Sequence, residues 1–106
     1  MTGEPLSTRT ERDGDTYRVV AVGELDIATV GMLERAVLDI EDGASPIVLD
    51  LSGLSFIDST GLRLVIDLSE RYGGATNRLQ VIAGSPAVER LLDVAGLRGR
   101  LPLITP

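Results

Sequence analysis

Between Tyr17 and Ala95 the apolar residues switch repeatedly between short strand-like runs and positions three or four apart, and this alternation constrains the fold more than any other feature. Tyr17-Arg18-Val19-Val20-Ala21-Val22 is rich in β-branched residues and apolar on both sides apart from Arg18, which predicts a strand covered on both faces. Gly23-Glu24-Leu25-Asp26 breaks the run. Ile27, Val30, Leu33, Val37 and Ile40 then follow helical spacing, a helix of about four turns capped by Thr29 or Asp26 and stopped at Glu41-Asp42-Gly43. Gly31 costs roughly 1 kcal/mol relative to Ala inside a helix, which places it near the start or against a packed neighbour.

The pattern repeats. Ala44-Ser45-Pro46 connects to a strand over Ile47-Val48-Leu49-Asp50-Leu51, and Leu62, Val65, Ile66, Ser69 and Tyr72 mark one face of a second helix closed by Gly73-Gly74. Leu79-Gln80-Val81-Ile82-Ala83 is a further strand. Ser85-Pro86 supplies the N-cap and first-turn proline of a third helix, with Val88, Leu91, Leu92 and Ala95 inward and Gly96 as its stop. Before all this, residues 6–11 form a short edge strand that Asp13-Gly14-Asp15 turns into a hairpin with the first long strand. After it, Leu101-Pro102-Leu103-Ile104 adds a last strand, which Pro102 confines to an edge.

Strand–helix alternation requires parallel pairing through right-handed crossovers. The expected fold is therefore α/β: one domain over residues 6–106 after a flexible N-terminus of residues 1–5, with a mixed β-sheet, an N-terminal hairpin and helices packed on the sheet. A length of 106 residues suits a single core.

Composition narrows function more than fold. The chain has no Cys and no His, and every basic residue is Arg. Thiolate or imidazole metal sites, His-based acid–base chemistry, Cys or Ser/His nucleophiles, and Walker or Schiff-base lysines are all excluded. Ten basic residues against 16 acidic ones give a net charge of −6 with no basic patch, which argues against nucleic acid and anionic membrane as partners. The N-terminus lacks a basic and apolar leader and no segment approaches 18 apolar residues, so the expectation is a soluble, cytoplasmic protein.

The remaining chemistry gathers at Phe56-Ile57-Asp58-Ser59-Thr60-Gly61-Leu62, where a strand hands over to a helix. Either Ser59 or Asp58 caps that helix, or Ser59 accepts a phosphate, whose negative charge a helix N-terminus stabilises. Asp50, at the expected end of its strand, lacks the lysine of a receiver-type phosphoaspartate site and reads as a turn or loop residue. Gly73-Gly74 and Gly96 to Gly99 read as helix stops. Glu24 and Asp26 form an acidic pair beside the first helix and read as a solvated, capped loop.

Three blocks carry a family resemblance. Asp50-Leu51-Ser52 with Leu54-Ser55-Phe56-Ile57-Asp58-Ser59-Thr60-Gly61-Leu62 resembles the signature of the STAS domain, in particular of bacterial anti-sigma-factor antagonists. Gly23-Glu24-Leu25-Asp26 resembles that family's first loop, and residues 85–97 its third-helix pattern. The resemblance implies an anti-anti-sigma factor of transcription regulation and stress response, a binding module and not an enzyme. In such a protein the unphosphorylated form binds an anti-sigma factor that is also a serine kinase and so frees the sigma factor. Phosphorylation of the motif's serine, Ser59 by position, ends binding, and a serine phosphatase restores it.

ATP and Mg²⁺ belong to the kinase, and no cofactor is implied for this chain. The resemblance places Asp58, Ser59, Thr60, Gly61, Glu24 and Asp26 on the docking face, with Thr60 as a rival acceptor. The spacing of Arg63 and Arg71 on the exposed side of the helix adds them as partner contacts. The alternative reading is a constitutive STAS subunit of a transporter or stressosome-like complex.

Overall fold

The computed structural model describes residues 5–40, 45–72 and 78–105. The expected stops at Glu41-Asp42-Gly43 and Gly73-Gly74 lie outside them, as do Ala44 and all but Pro5 of the N-terminal segment. The order is β1 (Ser7–Asp13), β2 (Thr16–Leu25), α1 (Val30–Leu38), β3 (Ile47–Ile57), α2 (Ser59–Tyr72), β4 (Leu79–Ile82) and α3 (Pro86–Ala95), then a 3₁₀ turn over Arg98–Arg100. Asp13-Gly14-Asp15-Thr16 closes the hairpin through Asp13↔Thr16, with Gly14 at φ +61°. The sheet order is β1-β2-β3-β4, antiparallel in the hairpin and parallel beyond it.

Both crossovers step the same way across the sheet, so right-handedness puts α1 and α2 on one face. Accordingly α1 packs on β1, β2 and α2, and α2 on β3 and β4. The registers Tyr17↔Ile47↔Leu79 and Val19↔Leu49↔Val81 turn toward these helices, and Ile47, Leu79, Val19, Leu49 and Val81 are fully buried. They meet Leu33, Val37, Leu62, Val65 and Leu68 in one core. Because β2 and β3 are parallel neighbours, α1 and α2 start side by side at the same end of the sheet. That end carries the site.

Several elements depart from the sequence expectation. Strand β2 continues through Gly23-Glu24 to Leu25, and β3 runs past Leu51 to Ile57. The register slips between Val20 and Val22 and again between Gly23 and Glu24, with β3 carrying the extra residues each time. These irregularities let Leu54 and Ile57 rejoin the buried face three residues apart, a spacing that alternation alone does not recognise. Gly23, at φ +109°, is needed there because a Cβ would collide with the Pro5 carbonyl oxygen.

Helix α1 spans nine residues and begins at Val30, so Ile27 is no part of its apolar face and stands 75% exposed. Gly31 is near the helix start, as expected. The tail contributes a single parallel bridge, Val81↔Leu103, in place of a strand, and Gly99 lies within the 3₁₀ turn. Gly96 stops α3 at φ +69° and Ser85 Oγ accepts the Val88 N–H, both as expected. Ala95, expected inward, is exposed.

Asp50 corrects the reading of a strand-end acid in a turn or loop. It sits within β3, 2% exposed, on the sheet face opposite α1 and α2. Its carboxylate accepts from the Ser52 hydroxyl (2.6 Å) and amide (2.9 Å) and pairs with the Arg18 guanidinium on β2. Burial alone raises the carboxyl's pKa, but the Ser52 bonds and then Arg18 outweigh it and hold it below the ordinary value.

A depressed folded-state pKa contributes stability that is present above the unfolded value, about 3.9, and is lost as pH falls through the folded one. The stability gap between the wild type and Asp50→Asn should therefore shrink as urea denaturation is taken from pH 5 to below pH 3. A gap independent of pH would contradict the assignment.

Candidate functional site

The site is a junction of two loops. Asp58 follows β3 and caps α2: its carboxylate accepts the Gly61 N–H at 2.9 Å, and its carbonyl accepts the Leu62 N–H at 3.0 Å. The cap is therefore Asp58, the second of the two expected candidates, and Ser59 takes the first helical position with its side chain in solvent. Among the described residues no hydrogen bond engages the Ser59 hydroxyl. Asp58 N–H is satisfied by the Leu25 carbonyl at 3.2 Å, which leaves the amides of Ser59 and Thr60 as the unclaimed donors of the helix start. An exposed hydroxyl beside two such donors in the positive end of the helix dipole is placed to carry a phosphate without refolding.

The second loop, residues 26–29, is tied to the first through Leu25. Leu25 pairs with Ile57 in the sheet, its carbonyl holds Asp58, and its side chain packs where a Cβ on Gly61 would go. That hypothetical Cβ would lie 2.9 Å from the Leu25 carbonyl oxygen and 3.0 Å from Ile57 Cγ1, so only glycine lets α2 start this close to β2. Thr29 stitches the loop itself. Its hydroxyl donates to the Glu24 carbonyl and accepts the Asp26 N–H, both at 2.9 Å, while Asp26 Oδ1 accepts the Ala28 N–H at 2.9 Å. Thr29 is the N-cap residue of α1 but makes no side-chain capping bond, and Asp26 organises the turn before the helix.

Glu24, Asp26, Asp58, Ser59, Thr60 and Gly61 are thus brought to one end of the molecule. Arg63, one turn into α2, is exposed and has no ion pair among the described residues. Arg71 is also exposed, but twelve residues of helix put it about 18 Å from Ser59, outside this cluster.

A feature the sequence reading did not contain is an open groove of about 780 Å³ between α2 and the α3 region. Ser59 and Arg63 lie on its rim, Leu62 and Ile66 line it from α2, and Leu91 and Leu97 face them. Arg100 closes the far end in an ion pair with Glu70 at 2.7 Å. Thirty residues separate that pair, and nothing local in the sequence links them.

The family described as Mlab, STAS domain, matches residues 8–105. The anti-sigma-B factor antagonist of Staphylococcus epidermidis is 31% identical over 94 residues, covering 88% of this chain and 87% of that protein. Among solved structures, an anti-sigma factor antagonist from Mycobacterium paratuberculosis is 31% identical with a TM-score of 0.81, over 95% of this chain and 86% of that one. The anti-sigma factor antagonist SpoIIAA shares the fold in its unphosphorylated form (TM-score 0.72, 21% identity, 94% and 88% coverage). It does so also in its phosphorylated form (TM-score 0.67, 23% identity, 94% and 91% coverage).

Proposed function

The chain belongs to the STAS-domain family of anti-sigma factor antagonists, and from that membership we propose that it is a switch set by the phosphorylation state of Ser59. In this reading the unphosphorylated protein binds an anti-sigma factor that is also an ATP-dependent serine kinase, and so releases the sigma factor. Transfer of the ATP γ-phosphoryl group to Ser59 Oγ, with the hydroxyl proton leaving, ends the interaction. A serine phosphatase hydrolyses the ester and resets the protein. No catalytic residue is assigned to this chain.

The observation that carries the proposal is the exposed hydroxyl of Ser59 at the first helical position, with no hydrogen-bond partner among the described residues and with Asp58 doing the capping. Because the cap is independent of Ser59, modification does not dismantle the helix start. A phosphate brings about −1.5 to −2 charges. It adds them beside Glu24, Asp26 and Asp58, so the surface presented to a partner changes much more than the fold does.

Incubation with the anti-sigma kinase and ATP should place one phosphate on the peptide containing Ser59, with fragment masses assigning it to Ser59 and not to Thr60. Ser59→Ala should remain unlabelled. Wild-type labelling of Ser59→Ala would move the acceptor elsewhere and defeat the proposal.

A further inference from the structure

The first turns of α2 bring a cation to the acceptor hydroxyl. Ser59 and Arg63 stand four residues apart in the helix, so their Cβ atoms lie about 5–6 Å from each other on one face. Both line the rim of the groove between α2 and the α3 region, which puts the two side chains on the same side of the helix. Helical side chains lean toward the N-terminus, so Arg63 extends back over the turn that carries Ser59. The helix's other arginine, Arg71, is in its last turn.

No acid on the unmodified chain takes up Arg63. Asp67 follows it by four residues, yet base before acid is the weaker order for such a pair, and among the described residues Arg63 forms no ion pair. Asp58 is engaged by the Gly61 N–H, and Glu70 by Arg100. A negative group on Ser59 would create the favoured order, acid first and arginine four residues later. A phosphate fits the place best. The amides of Ser59 and Thr60 approach its oxygens along the helix axis, and the planar guanidinium offers paired N–H donors from the side.

We infer that Arg63 is the intramolecular receptor of the Ser59 phosphate, holding it against the start of α2 and slowing its removal. The inference rests on the reading of Ser59 as phosphoacceptor and adds what sets the lifetime of the modified state. Arg63 offsets one of the roughly −1.5 to −2 charges that the phosphate brings, so the face still turns more negative and the switch keeps its sign. In the reset, water adds to phosphorus, Ser59 Oγ leaves and takes up a proton, and inorganic phosphate departs. The phosphatase must first draw the ester away from Arg63.

The test uses the full chain with phosphoserine introduced at residue 59 during synthesis and alkaline phosphatase as the probe. Arg63→Gln should lose its phosphate at least threefold faster than wild type. Arg63→Lys keeps the charge without the fork and should fall between them. Arg90→Gln removes an exposed arginine of α3 that does not line the groove and should stay within twofold of wild type. In a phosphorus NMR titration, the step from monoanion to dianion, ordinarily near about pH 6, should come at lower pH in wild type than in Arg63→Gln, because the guanidinium favours the dianion. Glu24, Asp26, Asp58, Asp67 and the Glu70–Arg100 pair surround the phosphate in both forms and cancel in the comparison.

Dephosphorylation of Arg63→Gln within twofold of wild type, with the same titration midpoint, would overturn the receptor, as would an equal acceleration in Arg90→Gln. The switch fails by a separate result, a Ser59 left unlabelled by the anti-sigma kinase, since here the phosphate is placed without that enzyme.

Discussion

Ser59→Asp should bind the anti-sigma kinase at least tenfold more weakly than the wild type, a loss of about 1.4 kcal/mol, while melting at the same temperature or slightly above it. The two effects have opposite signs for one physical reason. A carboxylate at the first helical position faces the amides of Ser59 and Thr60 and the positive end of the α2 dipole, which stabilises the isolated protein by about 0.3–1 kcal/mol. The same charge adds to Glu24, Asp26 and Asp58 on the face a partner must cover, and it introduces a group whose burial at that contact is costly. Weaker binding accompanied by a lower melting temperature would point instead to a damaged helix start.

Gly61→Ala should cost about 1–2 kcal/mol in urea denaturation, which for a domain of this size lowers the melting temperature by several degrees. Helix propensity alone predicts the reverse, since Ala is favoured over Gly by up to about 1 kcal/mol. Geometry decides the sign. The new methyl would sit 2.9 Å from the Leu25 carbonyl oxygen, a backbone atom held in the sheet opposite Ile57, and 3.0 Å from Ile57 Cγ1. To make room, the first turn of α2 must move away from β2, carrying Ser59 with it and separating the two loops that Leu25 joins. Phosphorylation of Ser59 should therefore slow in the same variant. A gain in stability would show that α2 does not start against β2 as described.

Much of this was legible in the sequence where local chemistry sets local structure. Ser85 and Pro86 announced α3 because a hydroxyl cap and a pre-set φ act within one turn, and Gly96 ended it by accepting a left-handed φ. Asp13-Gly14-Asp15 gave the hairpin for the same reason. The strand-to-helix handover at Asp58-Ser59 is equally clear, although either residue could cap the helix until the Asp58 carboxylate is seen to accept the Gly61 N–H.

What stayed hidden depends on non-local geometry. The extension of β3 beyond Leu51 relies on register slips against β2, which shift Leu54 and Ile57 off the alternating pattern. Asp50 looked like a strand-end acid because the residue that pairs with it, Arg18, is 32 positions away on β2. Ile27 fitted the helical spacing of Val30, Leu33 and Val37, yet Asp26 and Thr29 spend their hydrogen bonds on a turn that delays the helix to Val30. The groove beside Ser59 exists only once α2 and the region after α3 are folded together. In the candidate site, the positions of Glu24, Asp26, Asp58 and Ser59 were readable from motif order, whereas their linkage through the Leu25 carbonyl and the space reserved by Gly61 were not.

The most direct measurement is the affinity of the kinase for the chain carrying a single phosphate on Ser59, compared with the same sample after complete dephosphorylation. The switch predicts affinity at least tenfold weaker in the phosphorylated form and full recovery once the phosphate is removed. Equal affinity of the two forms would contradict it.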